Sequence, residues 1–172
     1  LLAFVAPAML LLLVGLIYPA IRTTYLAFTD RSGEEFVGLE NFVWMFTQPE
    51  IITVLINTVV WVIVVPLLST VFGLAYAVFI DKAHGEKILK SLVFLPMAIS
   101  FVGASIIWRF VYEYRELGFG EQIGILNQII VWFGGEPQQF LQNSPWNTFF
   151  LIVVMVWIQT GFAMVLLSAA IK

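Results

Sequence analysis

The 172-residue chain is 61% hydrophobic and only 11% charged. An ordinary soluble domain carries roughly a quarter charged residues, so the composition predicts a membrane protein. The net charge of −3, with scattered basic residues, gives no basis for binding a nucleic acid. Cysteine is absent and there is one histidine, which excludes disulfides, thiolate chemistry and a histidine metal cluster built from this chain. We expect no cofactor and no metal.

Four apolar segments are each long enough to cross a bilayer. A membrane helix needs about 20 apolar residues, because the hydrocarbon core is ~30 Å thick and each residue adds ~1.5 Å. The sequence therefore predicts an all-α, polytopic membrane helix bundle, with transmembrane helices at about 1–28, 52–80, 89–112 and 148–170. A secretory signal is the alternative for the first segment, but it is disfavoured because neither a basic leader nor an A-x-A-like site is visible.

The charges of the three connectors predict the orientation of these helices. The short connector 81–90 contains Lys82, Lys87 and Lys90, and lysine collects on the cytoplasmic side of membranes. The two longer connectors carry an excess of acidic residues and are therefore expected outside. Residues 38–46 suit a short helix on the membrane surface, and apolar residues at helical spacing within 121–133 predict a second interfacial helix on the outer side. The alternative is that these short helices pack against the protein's own membrane helices.

Sequence motifs for several kinds of enzyme are missing. The Gly-Glu-Lys at 85–87 lacks the glycine spacing and the Ser or Thr of a phosphate-binding loop. No H-E-x-x-H zinc motif and no G-x-S-x-G nucleophile motif occurs. We therefore expect the chain not to be an enzyme, so that active transport would take its energy from a partner or from an ion gradient.

Several motifs occur in the order found in one known family. They are FVGLENF at 36–42, NT at 57–58, FLPMAIS at 94–100, GILN at 124–127 and WIQTGFAMVL at 157–166. Together they resemble the permease subunits of binding-protein-dependent ABC transporters of the carbohydrate-uptake (MalF/UgpA-like) type. The matches span nearly the whole chain, which makes the resemblance more specific than any one motif.

The resemblance implies a multi-pass protein of the bacterial or archaeal cell membrane that imports a sugar or related polyol by alternating access. The implied partners are a second permease subunit, cytoplasmic ATPase subunits and an extracytoplasmic solute-binding protein, with ATP hydrolysis in the separate subunits. Residues 1–172 would form part of one transmembrane permease domain. The family's cytoplasmic coupling loop would follow Lys172, together with the remaining membrane helices.

Gln159 lies in the middle of the fourth apolar segment, where an amide side chain is costly unless it faces other helices or water. Met155, Ile158, Gln159 and Phe162 share one helical face, by their i, i+3, i+4, i+7 spacing. We predict that they line the substrate path, because this helix lines the path in the family resembled. The alternative is an ordinary interhelical hydrogen bond, which averages only ~0.6 kcal/mol in membranes.

Two other functions are weighed against the transporter subunit. An ion-coupled secondary transporter usually places ionisable residues at the membrane midplane, and the centres of these helices contain none. A membrane-embedded enzyme acting on lipid-linked substrates would use Arg109, Glu113, Arg115 and Glu116 as an interfacial site. That function requires acid and base groups that converge on one pocket, which a run of alternating charges does not establish.

Overall fold

The structure, a computed structural model, describes residues 2–171. In chain order the elements are α1 (Leu2–Leu12), a π-helical segment (Leu13–Ile17), α2 (Tyr18–Leu26), α3 (Glu40–Thr47), α4 (Pro49–Ile80), α5 (Glu86–Ala98), α6 (Phe101–Val111), α7 (Ile125–Trp132) and α8 (Trp146–Ile171). Between residues 2 and 171 no β-strand forms, and the only extended pairing is an isolated bridge between Thr29 and Phe36. The predicted all-α class is confirmed.

Three helical stretches in the described part of the chain are long and apolar enough to cross a membrane. They are Phe4–Leu26, Pro49–Ile80 and Trp146–Ile171. The pair formed by α5 and α6 passes the same test as one unit, but it bends by 98°. The short helices expected in the two longer connectors are present as α3 and α7.

The third predicted helix, at about 89–112, is two helices rather than one. Ile99 is extended and ends α5, three residues after Pro96. Ser100 then caps α6, since its Oγ accepts a hydrogen bond from the backbone N–H of Gly103 at 3.1 Å. The apolar composition continues through this break, which is why hydropathy alone predicts a single span.

The chain divides into two compact units, of which the first comprises residues 1–56. Within it, Asn41, the amide residue of the motif at 36–42, has a structural role. Its amide donates to the carbonyl oxygens of Ala27 at 3.0 Å and Thr29 at 2.7 Å, and so ties α3 to the chain that follows α2. The rings of Phe28 and Phe42 pack beside this link, with centroids 5.3 Å apart.

A tight turn follows in the same unit around Asp30. The Ser32 hydroxyl donates to the Asp30 carboxylate at 2.6 Å, and the backbone N–H groups of Glu34 and Glu35 donate to its other oxygen. These hydrogen bonds favour the charged form and lower the pKa of Asp30 to about 2, with the Ser32 hydroxyl as the largest cause.

The second unit, residues 57–172, is organised around α8. Ile152 and Val156 of α8 pack against Val65 of α4, and Met164 packs further along α8 with Ala77 and Ile80. These two apolar clusters hold α4 against one side of α8.

Glycines bring the helices of this unit into close contact. A Cβ atom at Gly73 of α4 would lie 2.6 Å from the Cβ of Ala163 in α8. A Cβ atom at Gly161 of α8 would lie 2.5 Å from the carbonyl oxygen of Val93 in α5. Both distances are shorter than real contacts, so only glycine allows these backbones to approach so closely.

Candidate functional site

A cavity of about 430 Å³ lies between α4 and α8. Gln159 and Phe162 line it from α8, and Pro66, Ser69 and Thr70 line it from α4. The remaining wall is aliphatic, so the cavity is mainly apolar with a few polar groups. This composition is typical of small-molecule sites, in which a few polar groups fix the orientation of the ligand.

The polar groups of this cavity come from both helices. The Ser69 side chain is buried, and its Oγ finds no hydrogen-bond partner anywhere in the part of the chain described. The Gln159 amide offers two donors and one acceptor, and the hydroxyl groups of Ser69 and Thr70 can each donate and accept. A buried hydroxyl without a partner is costly, which favours a ligand or water at this position.

The predicted substrate-path residues of α8 divide between two cavities. Gln159 and Phe162 line the cavity beside α4. Met155 and Ile158 line a second cavity of about 300 Å³, which Trp108 of α6 also lines. Gln159 is half-buried and Phe162 is exposed, whereas Ile158 is buried. The four residues therefore share a helical face, but the structure does not bring them into one cavity.

A charged cluster that the sequence pattern does not predict joins α5 and α8 to the residue that follows α4. Lys90 in α5 contacts the carboxylate of Asp81 and donates to the hydroxyl of Ser168, and its Nζ lies 2.8 Å from Oε1 of Glu86. Ser168 in turn donates to Asp81 at 2.7 Å. The charged residues of the connector 81–90 are evident from the sequence. Their contact with Ser168 is not, because Ser168 lies 87 positions from Asp81 along the chain.

The charged residues considered for an interfacial enzyme do not converge. Arg109 and Glu113 lie 3.9 Å apart, measured from Nε to Oε2, one helical turn from each other. Arg115 points elsewhere, since its guanidinium donates to the carbonyl oxygen of Glu121 at 3.0 Å. Throughout residues 2–171, no group of three His, Cys, Asp or Glu side chains could hold a metal ion.

Comparisons with known proteins give a consistent result. No protein-family model matches the chain. The chain is 50% identical, over 169 residues, to the alpha-glucoside transport system permease protein AglF of Rhizobium meliloti (strain 1021), a match that covers 98% of the chain and 50% of that protein. It is 48% identical, over 98% of its length, to the osmoprotective compounds uptake permease protein GgtC of Synechocystis sp. (strain ATCC 27184 / PCC 6803 / Kazusa), of which it covers 60%.

A solved structure supports the fold. It is the bacterial alginate ABC transporter in complex with an alginate pentasaccharide-bound periplasmic protein, matched with a TM-score of 0.72 at 20% identity. The match covers 98% of this chain and 55% of that chain. The chain thus spans about half the length of the relatives it matches. It is a multi-pass protein of the cell membrane, and these similarities, with the ordered motifs, show that it belongs to the permease subunits of ABC transporters.

Proposed function

We propose that this chain forms part of the transmembrane domain of a permease subunit in an ATP-driven, binding-protein-dependent importer of a sugar or related polyol. The observation that carries the proposal is the 50% identity to AglF over 98% of the chain. AglF is named for the transport of alpha-glucosides and GgtC for the uptake of osmoprotective compounds, and the first of these names supports a sugar as the imported solute.

The proposed partners are a second permease subunit, cytoplasmic ATPase subunits and an extracytoplasmic solute-binding protein. The alginate transporter that this fold matches is described in complex with a periplasmic protein, which supports the last of these. The relatives are transport permeases, and we place ATP hydrolysis in the separate subunits, which would drive alternating access through the permease pair.

Within this chain, the proposed sugar contact is the cavity between α4 and α8. The Gln159 amide would bind a sugar hydroxyl, and the Phe162 ring, about one turn on, would lie against the apolar face of the sugar. Ser69 would supply a further hydroxyl from α4. Met155 and Ile158 would line the adjoining part of the path on the α6 side.

Uptake measurements in proteoliposomes that contain the complete transporter test this function. We expect maltose, trehalose, lactose or sorbitol to enter when ATP is present and the proton and sodium gradients are collapsed. Loss of uptake under those conditions would favour an ion-coupled carrier, and uptake of none of the four solutes would contradict the proposed substrate class.

The Gln159→Leu variant tests the proposed contact in the same assay. Loss of one hydrogen bond to a sugar hydroxyl weakens binding by about 1 kcal/mol, so KM should rise about fivefold while the complex still assembles. Gln128→Leu is the matched control, because Gln128 lies in α7 and lines none of the cavities described here. An unchanged KM in Gln159→Leu would make Gln159 a packing residue.

A further inference from the structure

A smaller and more polar cavity lies near the N-terminal end of α8, which starts at Trp146. Its volume is about 230 Å³, and it forms where the chain leaves α6 and where the α7–α8 connector approaches that exit. Arg109, Glu113 and Tyr114 line one side, and Gln139 and Gln142 line the other. At ~30 Å³ per water, the cavity has room for about eight waters, which is the space of one sugar ring rather than of an oligosaccharide.

The polar groups of this cavity keep most of their hydrogen-bonding capacity. Between residues 2 and 171, the side-chain amides of Gln139 and Gln142 and the hydroxyl of Tyr114 form no hydrogen bond. Arg109 and Glu113 are 3.9 Å apart, which is longer than a hydrogen bond. The cavity therefore presents several donors and acceptors, and its two opposite charges leave it without net charge.

Aromatic rings form the base of the cavity. Tyr112 and Phe140 are both buried, and their ring centroids lie 5.6 Å apart. The Tyr112 hydroxyl is already satisfied, because it donates to the carbonyl oxygen of Phe150 at 3.0 Å. These two residues thus contribute rigid apolar surface rather than polar contacts.

Asn127 holds the two sides of the cavity together. It is fully buried, and its amide nitrogen donates to the carbonyl oxygens of Glu113 at 2.8 Å and Gln138 at 3.1 Å. Its Oδ1 accepts from the backbone N–H of Gln138 at 2.7 Å. A single side chain therefore fixes Glu113 relative to the segment that carries Gln139, so the cavity is formed before any ligand arrives.

Gly124, the residue that precedes α7, strengthens this arrangement. A Cβ atom at this position would lie 2.1 Å from the carbonyl oxygen of Glu113, so only glycine allows the two backbones to approach. The geometry is thus determined by backbone contacts on one side and by a buried amide on the other.

We propose that this cavity is a second sugar subsite, which holds one ring of a neutral polyhydroxylated ligand outside the membrane core. Amides and a carboxylate bind hydroxyl groups, while aromatic rings accept the apolar face of a sugar. By the predicted orientation the cavity lies on the outer side, so it holds the substrate before the Gln159 cavity does. This subsite rests on the proposed function, since it assumes that the imported solute is a sugar or polyol.

The first experiment compares uptake by the complete transporter with the double variant Gln139→Leu/Gln142→Leu and with Gln128→Leu. The solute is whichever of maltose, trehalose, lactose or sorbitol the wild type imports. We expect KM to rise about three- to tenfold in the double variant, as for one or two lost hydrogen bonds, and to stay unchanged in the control. An unchanged KM in the double variant overturns the subsite.

The second experiment does not depend on removing polar groups. Residues 1–172 contain no cysteine, so Gln142→Cys introduces one defined thiol in this region. Maleimide labelling of the peptide that carries residue 142 should slow several-fold when the imported solute is saturating, and labelling at Gln128→Cys should not change. Equal labelling rates with and without the solute overturn the proposal.

Two further outcomes are distinguishable. If the double variant fails to assemble with its partner subunits and Gln142→Cys shows no protection, the cavity packs against a partner and the subsite is wrong. If the wild type imports none of the four solutes, the proposed function fails and the subsite fails with it. If the wild type imports a solute, but KM does not rise in the double variant and the solute does not slow labelling of Gln142→Cys, the subsite alone is overturned.

Discussion

The two ends of α8 hold polar side chains in opposite ways. At the end near Ile171, Ser168 hydrogen-bonds to Asp81 and Lys90, and oppositely charged groups meet. At the end near Trp146, the amides of Gln139 and Gln142 have no partner within residues 2–171. Paired charges fix helices relative to one another, whereas unpaired amides are available to a ligand. We therefore assign a structural role to one end of α8 and the proposed sugar subsite to the other.

The two ends of α8 are predicted to face opposite sides of the membrane, and cysteine labelling gives an all-or-none test of this orientation. His84 and Glu136 are both exposed, in the connectors next to α5 and α8 respectively. We expect a cysteine at His84 to react only from the cytoplasm and one at Glu136 only from outside, because lysines surround His84. Labelling of both cysteines from the same side would contradict the four-span arrangement.

Gly161→Val should have the largest effect on stability. The new side chain would meet the carbonyl oxygen of Val93, and α5 would have to move away from α8. Overpacking of this kind typically destabilises proteins by about 1–3 kcal/mol. Thermal unfolding of the purified transporter measures the loss, with Ala169→Val at an exposed position of α8 as the control. Equal unfolding temperatures for the two variants would show that α5 does not pack here.

Lys90→Met should lower the unfolding temperature by several degrees, because it leaves the carboxylates of Asp81 and Glu86 without their shared cation. Lys87→Met is the matched control, since Lys87 is an exposed lysine less than one helical turn away. Thermal unfolding in low and high salt separates the two variants. If Lys90→Met and Lys87→Met lowered the unfolding temperature by the same small amount, the structural role of this end of α8 would be refuted.

Gln142→Leu should have the smallest effect on stability, within about 0.5 kcal/mol, because Gln142 is exposed and forms no hydrogen bond in the described part of the chain. Thermal unfolding of this variant beside Lys90→Met measures the contrast between the two ends directly. A loss as large as that of Lys90→Met would mean that the cavity end is also structural.

Hydropathy predicted where the long apolar helices lie along the chain but not the path of the third one. The run from 89 to 112 is apolar throughout, and apolar composition reports on the environment of a segment, not on its direction. The local signals for the break were Pro96 and Ser100, a proline near the end of α5 and a capping serine at the start of α6. Each also occurs in unbroken membrane helices, so neither signal predicted a bend of 98°.

The candidate site also shows that local sequence signals do not predict how separate helices pack together. Helical spacing correctly places Met155, Ile158, Gln159 and Phe162 on one face of α8, since spacing depends only on that helix. Which cavity each residue lines depends on where α4 and α6 pack, and those contacts involve residues far apart in sequence. The link from Asp81 to Ser168 could not be predicted for the same reason.

The break between α5 and α6 also limits where lipid can touch the protein. Helices of 13 and 11 residues rise about 20 and 16 Å, so neither crosses a hydrocarbon core of ~30 Å alone. Non-helical backbone at membrane depth is tolerated only where protein or water covers it, because lipid tails cannot hydrogen-bond to it. If this break lies at membrane depth, we expect the exposed surface around Ser100 to be covered by water or by protein, and lipid tails to be kept away from it.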